Sequence, residues 1–268
     1  MAGWTDAHNH LQDARLGPSG PVIAALRAAG VTRCFVNATR ENDWPAVEAL
    51  ALAEPELVVP AFAIHPWHAH TAAEGWPERL AALLERHPQA GIGECGLDSR
   101  VAEPSPEIQR PVFREHLRLA RELNRPVTIH CLKAWGALLD MLVEVPPPRF
   151  LLHSYGGSLE TARRLIPLGA YFSISGPFLH ARKAAALEVC RHLPRERILL
   201  ETDAPDMPPP DACATIQLDG GLNHPANLPA IGRALAAALG MAAGELAALT
   251  RDNAGQFIHP DCERSRVS

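Results

Sequence analysis

Asp6-Ala7-His8-Asn9-His10 sets two imidazoles one residue apart in an extended apolar segment. Side chains two apart on a strand face the same way, so both rings can reach a single divalent cation. Four more candidate ligands close later apolar runs: Glu94 in Gly93-Glu94-Cys95-Gly96, His130 in Thr128-Ile129-His130, His153 in Leu151-Leu152-His153, and Asp203 in Thr202-Asp203-Ala204. Imidazole suits Zn, Mn or Fe among the available metals. The chemistry this set offers is activation of a water by bound metal. Asp203, ending the last run, is placed to touch a metal and to accept the proton of that water, which makes it the general-base candidate. Small residues flank Glu94 and leave room for ions. Its strand carries no lysine, so if two metals bind, Glu94 must bridge them.

Around these lie lesser candidates. Asp6 shares the parity of the two histidines and is placed to orient an imidazole. His65, in Ile64-His65-Pro66-Trp67-His68, and Lys133, just past His130, are candidate substrate contacts, the lysine for a phosphate. Asp98 reads as structural. His87, His116, His180, His192, His224 and His259 receive no function.

The ligands need a frame that brings distant segments together. Apolar runs at residues 4–11, 34–38, 57–64, 90–97, 126–131, 150–155, 171–175 and 198–202 alternate with helical patterns at 23–29, 44–53, 78–86, 107–124, 134–143, 159–168 and 183–191. Eight βα units with right-handed crossovers predict an α/β fold, a single-domain (β/α)₈ TIM barrel. Barrel active sites collect at the carboxyl ends of the strands, where all six ligands are expected. Gly30, Pro126 and Gly169 punctuate helix-to-strand turns. The prolines at 208–210 and the Gly220-Gly221 pair mark a rim loop ahead of final helices at about 225–239 and 242–249. Residues 1–259 read as the barrel and 260–268 as a polar tail.

The composition narrows the setting. A chain of 268 residues, 47% hydrophobic, fits one barrel. It holds no apolar run of membrane-spanning length and opens on no basic-then-apolar leader, so a soluble cytoplasmic monomer is expected, away from membranes. Six scattered cysteines without a CxxC pair predict reduced thiols. A net charge of −5 argues against a wide basic face for coating nucleic acid, but not against a nuclease that grips a short single-stranded end.

The chain resembles the TatD family of metal-dependent hydrolases. The likeness runs through Asp6-Ala7-His8-Asn9-His10-Leu11, Ile64-His65-Pro66, Gly93-Glu94-Cys95-Gly96-Leu97-Asp98, His153-Ser154-Tyr155-Gly156-Gly157-Ser158, Phe172-Ser173-Ile174-Ser175-Gly176 and Glu201-Thr202-Asp203-Ala204-Pro205, with Asn253 and Phe257 in the terminal helix. The resemblance implies a (β/α)₈ barrel with a two-metal site and phosphodiesterase activity on DNA, exonucleolytic on single-stranded ends. It implies one metal on His8, His10 and Asp203, the other on His130 and His153, and Glu94 between them. Mg²⁺ or Mn²⁺ is the expected pair, with Zn²⁺ accommodated. The chain departs from the family where many members carry an arginine after the fifth-strand histidine and it reads Cys131-Leu132-Lys133. It departs again where Ala204-Pro205-Asp206 replaces Ser-Pro-Tyr. Two other readings stay open: hydrolysis of a small-molecule phosphoester, amide or lactone on the same ligands, and a scaffold that keeps a metal for structure alone. Structural sites are usually closed and tetrahedral, which an open rim is not.

Overall fold

The structure, a computed structural model, describes residues 3–259, so the tail read at 260–268 lies outside the described residues. Strands and helices alternate: β1 (Trp4–Asn9), α1 (Ser19–Ala29), β2 (Val31–Asn37), α2 (Trp44–Ala53), β3 (Val58–Ala61), α3 (Trp76–Arg86), β4 (Ile92–Asp98), α4 (Pro106–Glu122), β5 (Val127–Leu132), α5 (Trp135–Glu144), β6 (Phe150–Leu152), α6 (Leu159–Leu165), β7 (Ala170–Ile174), α7 (Ala184–Arg191), β8 (Ile198–Leu200), α8 (Leu228–Leu239) and α9 (Ala243–Ile258). Gly30 (φ 83°) and Gly169 (φ 98°) take the left-handed conformation that stops a helix and turns the chain into β2 and β7. No single helix among the described residues is long and apolar enough to cross a membrane.

The chain forms two compact units, one from residues up to 34 and from 172 on, the other from 35–171, with boundaries inside β2 and β7. In the first unit β7 and β8 pair in parallel, Phe172 opposite Ile198. Past the end of β8 the chain meets β1 and the residue after it, through Asp203 N–H to His8 O, 3.0 Å, and His10 N–H to Ala204 O, 2.8 Å. Helix α9 packs on β1 and β8, and Asn253 Nδ2 donates to Arg195 O and Ile198 O at 2.7 and 2.8 Å. That anchor, with Phe257 buried, carries α9 well past the expected residue 249. The irregular segment after β8 is tied back by Asn223 Nδ2 to Thr202 O, 2.9 Å. It serves as a loop of this unit, as its prolines and glycines predict.

In the second unit Ala38 N–H bonds Ala61 O, a parallel bridge joins Ala61 to Gly91, and β4, β5 and β6 pair in parallel order. Every residue of β4 is buried, as in a strand covered on both faces.

Several strands end before their apolar runs do. β3 stops at Ala61, β6 at Leu152 and β8 at Leu200, so His153 and Asp203 lie just beyond the last strand residue and His10 just beyond β1. Glu94 and His130 sit inside β4 and β5 instead, which corrects the expectation that each closes its strand. The β4–β5 register shifts between Ile92 and Cys95, and Glu94 N–H turns to Ala38 O at 2.8 Å. A bulge of this kind re-aims a side chain in mid-strand.

Candidate metal centre

The first unit gathers His8, His10 and Asp203. His8 Nε2 lies 3.3 Å and His10 Nε2 3.5 Å from the same oxygen, Asp203 Oδ1. The rings meet edge to face with centroids 4.9 Å apart, as the alternate spacing on β1 requires. Asp203 reaches them because its backbone takes φ 54°, a left-handed conformation that aspartate tolerates better than most residues. Asp6 sets this turn. Its Oδ1 accepts from Thr202 N–H at 2.9 Å and its Oδ2 from Thr202 Oγ1 at 2.6 Å and Asn9 Nδ2 at 3.0 Å. The Asp6 parity thus serves the backbone beside Asp203. Burial pushes the Asp6 carboxyl up to about 7 although Thr202 and Asn9 donate to it. Glu201, also buried, accepts from the Ser173 hydroxyl.

The second unit gathers Glu94, His130 and His153, and adds His65. Glu94 Oε1 stands 2.8 Å from His153 Nε2, 3.0 Å from His130 Nδ1 and 3.3 Å from His65 Nε2. His130 Nδ1 and His153 Nε2 are themselves 3.2 Å apart. Asp98 Oδ2 holds the far nitrogen of His130, Nε2, at 3.2 Å, and accepts the indole N–H of Trp67 at 2.7 Å. With Nε2–H donated to Asp98, the Nδ1 lone pair of His130 turns toward Glu94 and His153. A carboxylate behind a ligating imidazole is the usual way of fixing its tautomer. Burial raises Asp98, but the bonds from His130 and Trp67 outweigh it and hold the carboxyl down at about 2. His130 is desolvated, which lowers it, yet Asp98 and Glu94 together carry it above its ordinary value.

His65 has a different environment. Its Nδ1 accepts from Trp67 N–H at 3.2 Å, so in the neutral ring the proton sits on Nε2 and points to Glu94 Oε1. Burial depresses its pKa to about 4, which keeps the ring neutral. The chain before it is fixed by His116, whose Nε2 accepts from Ile64 N–H at 3.1 Å while its Nδ1 meets Val112 O at 2.8 Å. Lys133 joins neither cluster. It stands exposed with φ 56° on the turn after β5.

The donors fit divalent cations. Nitrogen and oxygen ligands about 2.0–2.2 Å from an ion lie about 3.0 Å from one another in an octahedral array and about 3.4 Å in a tetrahedral one. Separations of 2.8–3.5 Å within the two clusters fall in that span. Glycine makes room on both sides of Glu94: a Cβ on Gly93 would run into Asn37 and Thr128, and one on Gly96 (φ 140°) into the His130 carbonyl.

The six candidate ligands named from the sequence all stand in these two clusters, three in each. Sequence reasoning read Asp98 as structural without placing it behind His130, and gave His116 no function. Asp98 carried a signal, since it lies four residues from Glu94 on one strand; His116 carried none, because its partner at Ile64 is remote in sequence.

The family model of TatD related DNase matches residues 5–259. A 3'-5' ssDNA/RNA exonuclease TatD from Erwinia tasmaniensis is 32% identical over 241 residues, covering 89% of this chain and 92% of the relative. The uncharacterized metal-dependent hydrolase YcfH of Escherichia coli K12 is 30% identical over 245 residues, 91% of this chain and 89% of its own length. The crystal structure of YjjV, a TatD homolog from E. coli K12, superposes with a TM-score of 0.84 at 29% identity, covering 95% of this chain and 97% of that one. The fold class expected from the alternating elements, α/β of the (β/α)₈ barrel type, is the one these relatives share.

Proposed function

This chain belongs to the TatD-related DNase family, and from that premise we propose that it hydrolyses phosphodiester bonds at single-stranded DNA ends with the help of two divalent cations. It is a metal-dependent hydrolase acting on ester bonds. The observation that carries the reading is a repeated motif. Imidazole nitrogens converge on one carboxylate oxygen in each cluster, two on Asp203 Oδ1 in the first and three, His65 included, on Glu94 Oε1 in the second.

In this reading His8, His10 and Asp203 hold one ion and Glu94, His130 and His153 the other, with Mg²⁺ or Mn²⁺ the natural occupants and Zn²⁺ accommodated by the nitrogen donors. Bound divalent cations lower the pKa of a coordinated water toward ~7 and offset charge on phosphoryl oxygens. Asp203 takes the proton of the attacking water. Asp6 keeps Asp203 at its station through Thr202, Asp98 keeps the His130 tautomer, and His65 donates to Glu94 and holds that carboxylate in place. Lys133 meets a backbone phosphate from its exposed turn. We read residues 1–259 as one catalytic domain, supported by a family match that spans both units. We read the chain as a monomer in a reducing, cytoplasmic compartment, a setting in which the five buried, unbridged cysteines among the described residues stay as thiols.

The test is a time course with end-labelled single-stranded oligonucleotide and Mn²⁺ or Mg²⁺, wild type beside Asp203→Asn. Metal-dependent shortening by wild type, reduced about 10³-fold or more in a folded Asp203→Asn protein, is the expected result for loss of a proton acceptor that is also a ligand. No shortening by a wild-type protein carrying bound metal would move the substrate to small phosphoesters or carbonyl compounds. Near-normal turnover by Asp203→Asn would remove the general base.

A further inference from the structure

Trp67 is 49% exposed, whereas Trp4, Trp44 and Trp76 are buried. A solitary exposed apolar residue needs no explanation, but three features set this one apart. Its only polar atom is already engaged: the indole N–H donates to Asp98 Oδ2 at 2.7 Å, and the same oxygen faces His130 Nε2. Its ring is braced edge-on against His65, centroids 4.9 Å apart, and lies 6.2 Å from the His130 ring. Finally, two of the other exposed large apolar residues frame the same aspartate. Leu132 is paired with Asp98 across β4 and β5, and Ile108 adjoins Gln109, whose side chain clamps the Asp98 backbone N–H and carbonyl.

We propose that the indole face of Trp67 is a stacking platform for an unpaired nucleobase of the strand whose phosphate is held at the Glu94–His130–His153 cluster. The inference rests on the phosphodiesterase reading and names what that site recognises in its substrate. With its N–H spent on Asp98, the indole has only a π face to offer, and a flat ring is the partner that uses it. A nucleotide supplies such a ring one sugar away from its phosphate, as Trp67 lies one side chain away from the cluster. The brace and the Asp98 bond hold the indole before the base arrives, so little side-chain freedom is lost on binding. Lys133 beside Leu132 and Arg100, whose N–H donates to Asp98 Oδ1, put exposed cations on the same edge. Stacking on an aromatic tolerates any base, and a strand paired in a duplex cannot offer a base face. The platform therefore selects single strands without reading sequence.

The test compares an oligothymidylate with the same oligomer carrying abasic units at the three positions nearest the degraded end. Wild type, Trp67→Phe and Trp67→Ala are assayed with Mn²⁺, with thermal melting as a control on folding. Trp67→Ala should raise KM on the base-bearing strand by about 10- to 100-fold relative to the abasic strand, the range expected of one base–aromatic stack, because loss of the Asp98 bond weighs on both strands alike. Trp67→Phe, which keeps a π face and lacks the Asp98 bond, should restore most of the loss. An equal loss on both strands would overturn the platform and leave Trp67 as a prop for Asp98; so would no loss on either. If wild type degrades single strands and Trp67→Ala matches it, the platform alone falls. If wild type degrades neither strand, the phosphodiesterase reading falls with it.

Discussion

Asp98 Oδ2 lies 3.2 Å from Nε2 of His130, while Nδ1 of the same ring faces Glu94 at 3.0 Å. The imidazole is held between two carboxylates, one behind it and one in the cluster. Asp98→Asn removes the charge behind the ring and admits the wrong tautomer. Mn²⁺ affinity at the second cluster should fall by about 10- to 100-fold, read by titration calorimetry. An unchanged isotherm would show that the ring is oriented by something else.

The two clusters should load separately. Equilibrium dialysis of wild type against Mn²⁺ is expected to give about two ions per chain, and His10→Ala or His153→Ala about one. Removal by EDTA should abolish hydrolysis and Mn²⁺ should restore it. A value of about one in wild type would contradict the paired-ion reading.

His116 should make the fold acid-labile. Burial depresses its pKa from 6.5 to about 3, so as pH falls below 6.5 the unfolded chain takes up a proton that the folded one refuses. Stability is full above 6.5 and declines toward about 3, by about 2 kcal/mol between pH 6.5 and pH 5. Asp6 works in the opposite sense: raised to about 7, it favours the folded state at low pH and loses that contribution as pH rises through 7. Comparing wild type with His116→Gln by urea unfolding across this range isolates the histidine. The variant's slope should be smaller by about one proton, and parallel curves would refute the assignment.

Gly96 is the position where a side chain is least tolerable. With φ 140° and the His130 carbonyl where a Cβ would sit, Gly96→Ala should cost about 2 kcal/mol or more and weaken metal binding at the second cluster. Gly244→Ala, on α9 with nothing near its Cβ, is the control and should be neutral or slightly stabilising. Equal melting temperatures for the two variants would sink this account.

What could be read from the sequence was whatever a short window encodes. Alternation of apolar runs and helical patterns marked each βα unit, and the candidate ligands stood out because histidine and acid close such runs for few other reasons. The misplacements have physical causes. Glu94 lies mid-strand because a register shift, which no local pattern announces, turns it. Apolar runs overstate β3, β6 and β8 because buried chain beyond a strand is apolar too; Ser154 and Asp203 leave at positive φ. Asp98 and His116 act through partners that the fold alone supplies.

The unit boundaries also set a timetable. The second cluster is drawn wholly from the middle of the chain, whereas the first joins a pair of histidines near the start to an aspartate in the last third. On a ribosome, His65, Glu94, His130 and His153 have all been made while Asp203 is still to come, and His8 and His10 wait about 190 residues for their carboxylate. The newborn chain therefore holds all the side chains of the second cluster well before the first can form. The group read as the proton acceptor is the last of the six to be made, so both clusters can be complete only once the chain has passed position 203.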